Sequence, residues 1–217
     1  MDSVKVKICG LANLDEARLA VEMGADLLGF NFYPPSPRYI DPLACARIVA
    51  GLQLQPRVIT VGVFVNAQPA AIAAILDECS LDLAQLSGDE PPEVLAALGD
   101  RAFKALRPSG PEAMETALLC YPTRSTAPAW LVDAYRPGEY GGTGHTADWS
   151  LAHSLARQAP ILLAGGLNPG NVTAALQQVR PWGVDVASGI ESAPGRKDHR
   201  QMSAFISAVR SYDLEAA

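Results

Sequence analysis

The stretch Val4-Lys5-Val6-Lys7-Ile8-Cys9-Gly10-Leu11 decides how the rest of the chain is read. Apolar residues and lysines alternate to Ile8, and the run stops at a cysteine followed by a glycine. A period of two is the signature of a strand. It places Val4, Val6 and Ile8 on one face and Lys5, Lys7 and Cys9 on the other. A helix-start signal comes next. Asn13 suits the N-cap, and Asp15 and Glu16 lie in the first turn, where a helix favours negative charge. Leu14, Ala17 and Val21 follow at helical spacing, and Gly24 is the stop. The unit is a strand, then a helix.

The same unit recurs to the end of the chain. The pattern predicts a second strand over 26–32, the stiff Pro-rich loop Tyr33-Pro34-Pro35-Ser36-Pro37-Arg38, and a helix over 42–50. A third strand over 57–65 precedes a helix over 69–78 with proline in its first turn. A fourth strand spans 81–86 and its helix 92–98; a fifth spans 102–106 and its helix 111–119. The sixth, 129–134, leads through a glycine-rich loop to a helix over 148–157. The seventh, 161–164, leads through Gly165-Gly166-Leu167-Asn168-Pro169 to a helix ending near 178. The eighth spans 183–187. After a turn at Ser188-Gly189, Asp198 and Gln201 stand three apart like a capping box, ahead of a helix lined by Met202, Phe205, Ile206 and Val209.

Most of these strands are apolar runs, as expected when both faces are buried. Eight strand–helix units predict one (β/α)8 TIM barrel occupying 1–217 as a single α/β domain, near the short end of that fold's size range. The rival is an open doubly wound sheet, which would show fewer strands and an edge strand.

Composition narrows the function classes. With 49% hydrophobic and 18% charged residues, the chain has the makeup of a well-cored globule. A formal charge of −6 argues against nucleic-acid binding and offers nothing to an acidic membrane surface. No apolar run reaches about 18 residues, and the N-terminus lacks a basic-then-apolar leader. The four cysteines, Cys9, Cys45, Cys79 and Cys120, are widely spaced with no C-x-x-C pair. That suits a reducing cytoplasm better than a disulfide framework or a zinc cage.

In a barrel the chemistry gathers at the carboxyl ends of the strands. Cys9 ends strand one with two lysines on its own face. A nearby ammonium lowers a thiol's pKa, so this pattern predicts that Cys9 titrates below a free thiol and acts as base or nucleophile. The other three cysteines fall in helical or helix-end stretches and read as filler. Asp133 ends strand six, where a carboxylate is costly unless solvated or paired; it is a salt-bridged or helix-capping acid, or a general acid or base at the barrel mouth. Asp26 starts its strand, on the stability side of the barrel, and Asp185 suits a structural partner for Lys7. Gly165-Gly166 after strand seven and Ser188-Gly189 after strand eight read as anion cradles, in the loops where barrels commonly bind phosphate. Gly141-Gly142-Thr143-Gly144 is a cover or a turn. Arg38, restrained by the surrounding prolines, can grip a carboxylate with two hydrogen bonds.

At these residues the sequence resembles the phosphoribosylanthranilate isomerase family along nearly its whole length. The resemblance runs through Lys7-Ile8-Cys9-Gly10, Gly29-Phe30-Asn31-Phe32-Tyr33, Ser36-Pro37-Arg38-Tyr39-Ile40, Val61-Gly62-Val63-Phe64 and Gln85-Leu86. It continues through Leu131-Val132-Asp133, Gly141-Gly142-Thr143-Gly144, Leu163-Ala164-Gly165-Gly166-Leu167-Asn168-Pro169 and Ser188-Gly189-Ile190-Glu191.

The resemblance implies an Amadori rearrangement of N-(5'-phosphoribosyl)anthranilate to the 1-amino-1-deoxyribulose phosphate, in tryptophan biosynthesis. It implies no metal and no cofactor, a small phosphorylated substrate, and a monomer or homodimer. Asp133 would be the general acid that opens the ribose ring, and Cys9, as thiolate, the general base that removes the C2' proton. Arg38 would hold the anthranilate carboxylate. Backbone groups around Gly165, Gly166, Ser188 and Gly189 would hold the phosphate. The family often has histidine after Gln-Leu, where this chain has Ser87, and lysine after Gly-Gly-Thr-Gly, where it has His145. A barrel acting on the imidazole-linked Amadori substrate would instead carry aspartates at the ends of strands one and five; here those ends are Cys9 and Leu106-Arg107.

Overall fold

Four helices open on a proline and three more on a capping side chain, and this punctuation sets the beat of the chain. The computed structural model describes residues 3–52, 58–133 and 148–216. Proline is the first residue of α2 (Pro42–Leu52), α3 (Pro69–Glu78), α4 (Pro92–Leu98) and α5 (Pro111–Cys120). Its missing N–H costs nothing at that position. Asn13 caps α1 (Leu14–Glu22) by accepting the Glu16 N–H at 2.9 Å. Asp148 caps α6 (Trp149–Ala156) through the N–H groups of Ser150 and Leu151. Asp198 caps α8 (His199–Ala216) through those of Arg200 and Gln201. The second half of the expected capping box is absent: the Asp198 N–H is already held by the Ile190 carbonyl at 2.8 Å. The remaining helix is α7 (Val172–Val179).

Eight parallel strands alternate with these helices and close on themselves. They are β1 (Lys5–Cys9), β2 (Leu27–Asn31), β3 (Ile59–Phe64), β4 (Leu83–Leu86), β5 (Ala102–Leu106), β6 (Trp130–Val132), β7 (Ile161–Leu163) and β8 (Gly183–Val186). Closure comes from β1, which pairs with β2 on one side and with β8 on the other (Lys7 opposite Asp185, Ile8 opposite Val186). The expected strands are present, most of them a residue or more shorter than the apolar runs suggest, because ladder pairing stops before the apolar run does. Arg57 of the expected third strand and Ala134 of the sixth lie outside the described residues. A feature the sequence does not announce is a short antiparallel hairpin after β8, β9 (Glu191–Ala193) with β10 (Arg196–Lys197).

Two apolar layers result, as strand parity requires. Leu27, Val61, Leu83, Phe103, Ala105, Leu131, Leu162 and Ala164 fill the barrel interior. Val6, Ile8, Leu28, Phe30, Phe64, Ala84, Leu163 and Val184 face outward into the layer shared with the helices. The alternation fixes the direction of the strand ends: two residues on from inward Leu83 is Gln85, and two on from inward Leu131 is Asp133.

At the opposite, N-terminal rim, Asp26 is a structural acid. It accepts the Val6 N–H at 2.9 Å and the Arg210 guanidinium at 2.7 Å, and Arg210 also donates to the Val4 and Gly24 carbonyls. The last helix is thereby clamped to the first two strands. Asp26→Ala leaves the Val6 N–H and part of the Arg210 fork unpaired, so a loss of about 1–3 kcal/mol is expected, measured by urea unfolding. Turnover below the melting range should be unaffected, since this rim is remote from the strand ends that carry chemistry.

Candidate active site

The site grows from the seam where β8 meets β1. Lys7 points inward, is fully buried, and donates to Asp185 Oδ1 at 2.6 Å. Burial pulls the Lys7 ammonium down, but Asp185 and then Cys9 outweigh it, and its pKa is pushed up to about 12. Cys9 lies one inward position further along, at the carboxyl end of β1 and buried. Across the strand pair stands Gly29. A Cβ built there would come within 3.0 Å of both the Cys9 sulfur and the Lys7 nitrogen. Glycine leaves the room in which the thiol and the ammonium fit side by side.

The expected direction of the Cys9 shift is reversed. Burial pushes the thiol up, and the Lys7 and Lys197 ammonium groups only partly oppose it, while Asp185 adds to the rise. Burial is the main cause, and the two lysines of the strand give less opposition than their shared face suggests. Asp185 neutralises Lys7, and Lys5 stands at the far rim, half-exposed and paired with Asp26. The second cation acting on the thiol is therefore Lys197 of the hairpin, 188 residues away in sequence and buried.

Asp133 follows β6. Its N–H continues the ladder by donating to the Leu106 carbonyl at 3.0 Å, and its side chain is half-buried. Parity from inward Leu131 places it on the same inner face that carries Cys9 on β1. Arg38 is not held by its prolines alone. Its guanidinium lies side-on against Glu191, with Nε to Oε1 and Nη2 to Oε2 both at 2.8 Å. Lys197 adds a third bond to Glu191 Oε1 at 2.8 Å. Burial pushes the Glu191 carboxyl up, but the Arg38 and Lys197 bonds prevail and hold it below the usual range. Glu191, Lys197 and Gly29 are the residues that reasoning on the sequence missed. Glu191 and Gly29 stand in quoted motifs but carry no chemical signal of their own there.

Gly165 and Gly166 both take positive φ, +89° and +61°, a conformation that side chains rarely adopt. The side-chain amides of Asn168 and Asn171 fix the Gly166 carbonyl. Gly189 packs directly on the Leu167 carbonyl, with no room for a Cβ. The loops after β7 and β8 thus touch at Gly189 and Leu167, which sets the loop of Gly165 and Gly166 beside that of Ser188 and Gly189.

On β4, Gln85 donates to the Ser87 hydroxyl at 3.0 Å, and Gln85 Oε1 is buried with no hydrogen-bond partner among the described residues. The loop carrying Ser87 is braced from behind. Buried Lys104 donates to the Leu86 and Gly88 carbonyls and to Glu90, whose other oxygen accepts the N–H groups of Asn66 and Gly88. Arg107, after β5, bonds the Gly88 carbonyl and Asp89. The Gly141-Gly142-Thr143-Gly144 cluster and His145 lie outside the described residues.

Fold and rim together define the class: a parallel (β/α)8 barrel that sets a thiol, a carboxyl and glycine-built loops at the carboxyl ends of its strands. Comparison with known proteins narrows this. A family model described as N-(5'phosphoribosyl)anthranilate (PRA) isomerase matches residues 6–208. The N-(5'-phosphoribosyl)anthranilate isomerase of Myxococcus xanthus is 47% identical over 214 residues, covering 98% of this chain and 99% of that protein. The crystal structure of phosphoribosyl anthranilate isomerase from Thermotoga maritima superposes with a TM-score of 0.85 at 41% identity, covering 96% of this chain and 99% of that one. A solved phosphoribosyl anthranilate isomerase in complex with reduced 1-(o-carboxyphenylamino)-1-deoxyribulose 5-phosphate superposes at 0.81 with 39% identity, over 96% of this chain and 99% of that one. The chain belongs to the N-(5'-phosphoribosyl)anthranilate isomerase family.

The electrostatics of Cys9 are directly measurable. Alkylation by iodoacetamide follows the thiolate fraction, so its rate should climb with pH to a midpoint above the free-thiol value of about 8.5. Lys7→Met removes the strongest opposing cation and should move the midpoint further up. A wild-type midpoint below 8.5, or no movement in the variant, would contradict this account.

Proposed function

We propose that the chain, acting through residues 1–217 as one barrel domain, catalyses the Amadori rearrangement of N-(5'-phosphoribosyl)anthranilate to 1-(2-carboxyphenylamino)-1-deoxyribulose 5-phosphate, a step of tryptophan biosynthesis. It works as a cytoplasmic enzyme on a small phosphorylated substrate, as a monomer or homodimer. Family membership along nearly the whole length supports the isomerase activity. The observation that carries the residue assignment is that Cys9 and Asp133 both stand at carboxyl strand ends on the inward-facing parity.

Asp133, protonated, gives its proton to the ribose ring oxygen, and the C1'–O bond breaks to leave an iminium. Cys9, as thiolate, then takes the C2' proton; the C–H electron pair forms a C1'=C2' double bond while the iminium π pair returns to nitrogen, giving the enolamine, which tautomerises to the ketose. One group must begin protonated and the other deprotonated, a demand met by groups of different chemistry in different surroundings. Lys7 and Lys197 favour the thiolate that this step uses, against the pull of burial.

Arg38 takes the anthranilate carboxylate. The backbone around Gly165, Gly166, Ser188 and Gly189 takes the phosphate, consistent with the two left-handed glycines and the absence of side-chain bulk at Gly189. Ser87, positioned by Gln85, occupies the place where the family often has histidine.

Turnover is followed as loss of the anthranilate fluorescence of the substrate. Cys9→Ala and Asp133→Ala should each lower kcat by about 10²–10⁴-fold, the range for removing a general acid or base, with unchanged circular dichroism. Near-normal turnover in both would end the acid–base assignment. Gly189→Ala should drive the β8 loop off the Leu167 carbonyl and weaken competitive inhibition by inorganic phosphate by tenfold or more, read from steady-state Ki; an unchanged Ki would remove this loop from the phosphate site.

A further inference from the structure

The ion cluster near Cys9 ties the hairpin after β8 to the loop after β2. The hairpin β9–β10 brings Glu191 and Lys197 back over the start of the barrel, and Arg38 reaches them from the loop after β2. Glu191 is saturated: Oε1 accepts Arg38 Nε and Lys197 Nζ, and Oε2 accepts Arg38 Nη2 and the Gly195 N–H at 3.3 Å. Lys197 is pinned from two more directions, its Nζ on the Ala187 carbonyl and its N–H on Glu16. The Arg38 stem crosses the chain directly after Cys9, where Gly10, at φ +77°, lets it lie flat: a Cβ at Gly10 would be 2.6 Å from Arg38 Cδ. Arg38, Lys197 and Glu191 are all largely buried, and the buried carboxylate of Glu16 touches the same cluster through the Lys197 N–H.

A guanidinium offers two bidentate edges: one made by Nε and one Nη, the other by the two terminal nitrogens. Glu191 takes the first. The second, Nη1 with the remaining Nη2 proton, is left uncommitted among the described residues. We propose that Glu191 is a positioning residue that holds the side-on edge of Arg38 and thereby aims its end-on edge at the substrate's carboxylate. This rests on the reading of Arg38 as the carboxylate-binding group. A purely structural tie between loop and hairpin would hold the same residues together but would not discriminate between substrates.

The test compares N-(5'-phosphoribosyl)anthranilate with N-(5'-phosphoribosyl)aniline, which lacks only the carboxylate, using the full chain. In the wild type the ratio of kcat/KM values favours the carboxylated substrate. Glu191→Gln should lower that ratio about 10–100-fold, mainly through KM of the carboxylated substrate, the scale of a mispositioned charge-assisted bond. Glu191→Asp keeps the charge with a shorter reach and should lower the ratio partially; if the glutamine variant does not fold, the aspartate variant decides. Equal losses on both substrates, or an unchanged ratio, overturn the proposal. Arg38→Met separates the two layers. If it lowers the ratio and the Glu191 variants do not, Arg38 binds the carboxylate and Glu191 does not aim it. If Arg38→Met leaves the ratio intact, the reading of Arg38 falls and this proposal falls with it.

Discussion

The Lys7–Asp185 pair is the constraint on which the rest of the structure depends. It spans the one strand contact that the order of the chain cannot supply, between the first strand and the eighth, 178 residues apart. Two ionised groups inside a barrel are costly to desolvate, and only a short bond with matched charge offsets that cost. At 2.6 Å, with the lysine fully buried, the pair meets that condition. Breaking it on one side would leave an uncompensated charge among Leu27, Leu162 and their neighbours, so the register of closure and the neutrality of the interior are a single requirement.

That pair also sets the electrostatic character of the rim above it. Burial lifts the adjacent Cys9 thiol above the ordinary range; Lys7 opposes the rise and Asp185 adds to it. The balance is partly restored from outside the barrel, where Lys197 approaches on the β9–β10 hairpin. Positive charge is thereby concentrated at the β8–β1–β2 sector, in Lys7, Lys197 and Arg38, each accompanied by a carboxylate that is buried or nearly so. The β4–β5 sector uses the same device for another purpose. Lys104 and Glu90 there bind backbone groups and hold a loop in shape. A buried ion pair adjoins a strand-end thiol in one place and holds backbone in the other, depending on whether it stands on the inner face of a strand or behind it.

Much of this was legible in the chain. Periods of two and 3.6 alternating eight times, with prolines and capping side chains at helix starts, specify a barrel, because each feature acts on local backbone. The shared face of Lys7 and Cys9 follows from parity, Asp133 from its place at a strand end, and Gly165-Gly166 from the turn it builds. Less legible was everything that depends on what lies across the barrel. Glu191 and Lys197 sit in a stretch of mixed polar residues without periodicity, and nothing local distinguishes them from a solvated turn.

The sequence by itself determined the order of elements, the closure into a barrel, the strand ends that carry titratable groups and the family to which the chain belongs. These are written in hydrophobic spacing, turn chemistry and the order of short motifs. The tertiary structure alone decided which other charges meet: that Arg38 rests on Glu191, that Lys197 returns over Cys9 and that burial lifts the Cys9 thiol. The reason is physical. Secondary structure is set by interactions a few residues apart, whereas a charge responds to whatever folds within a few ångströms of it, regardless of the length of chain between.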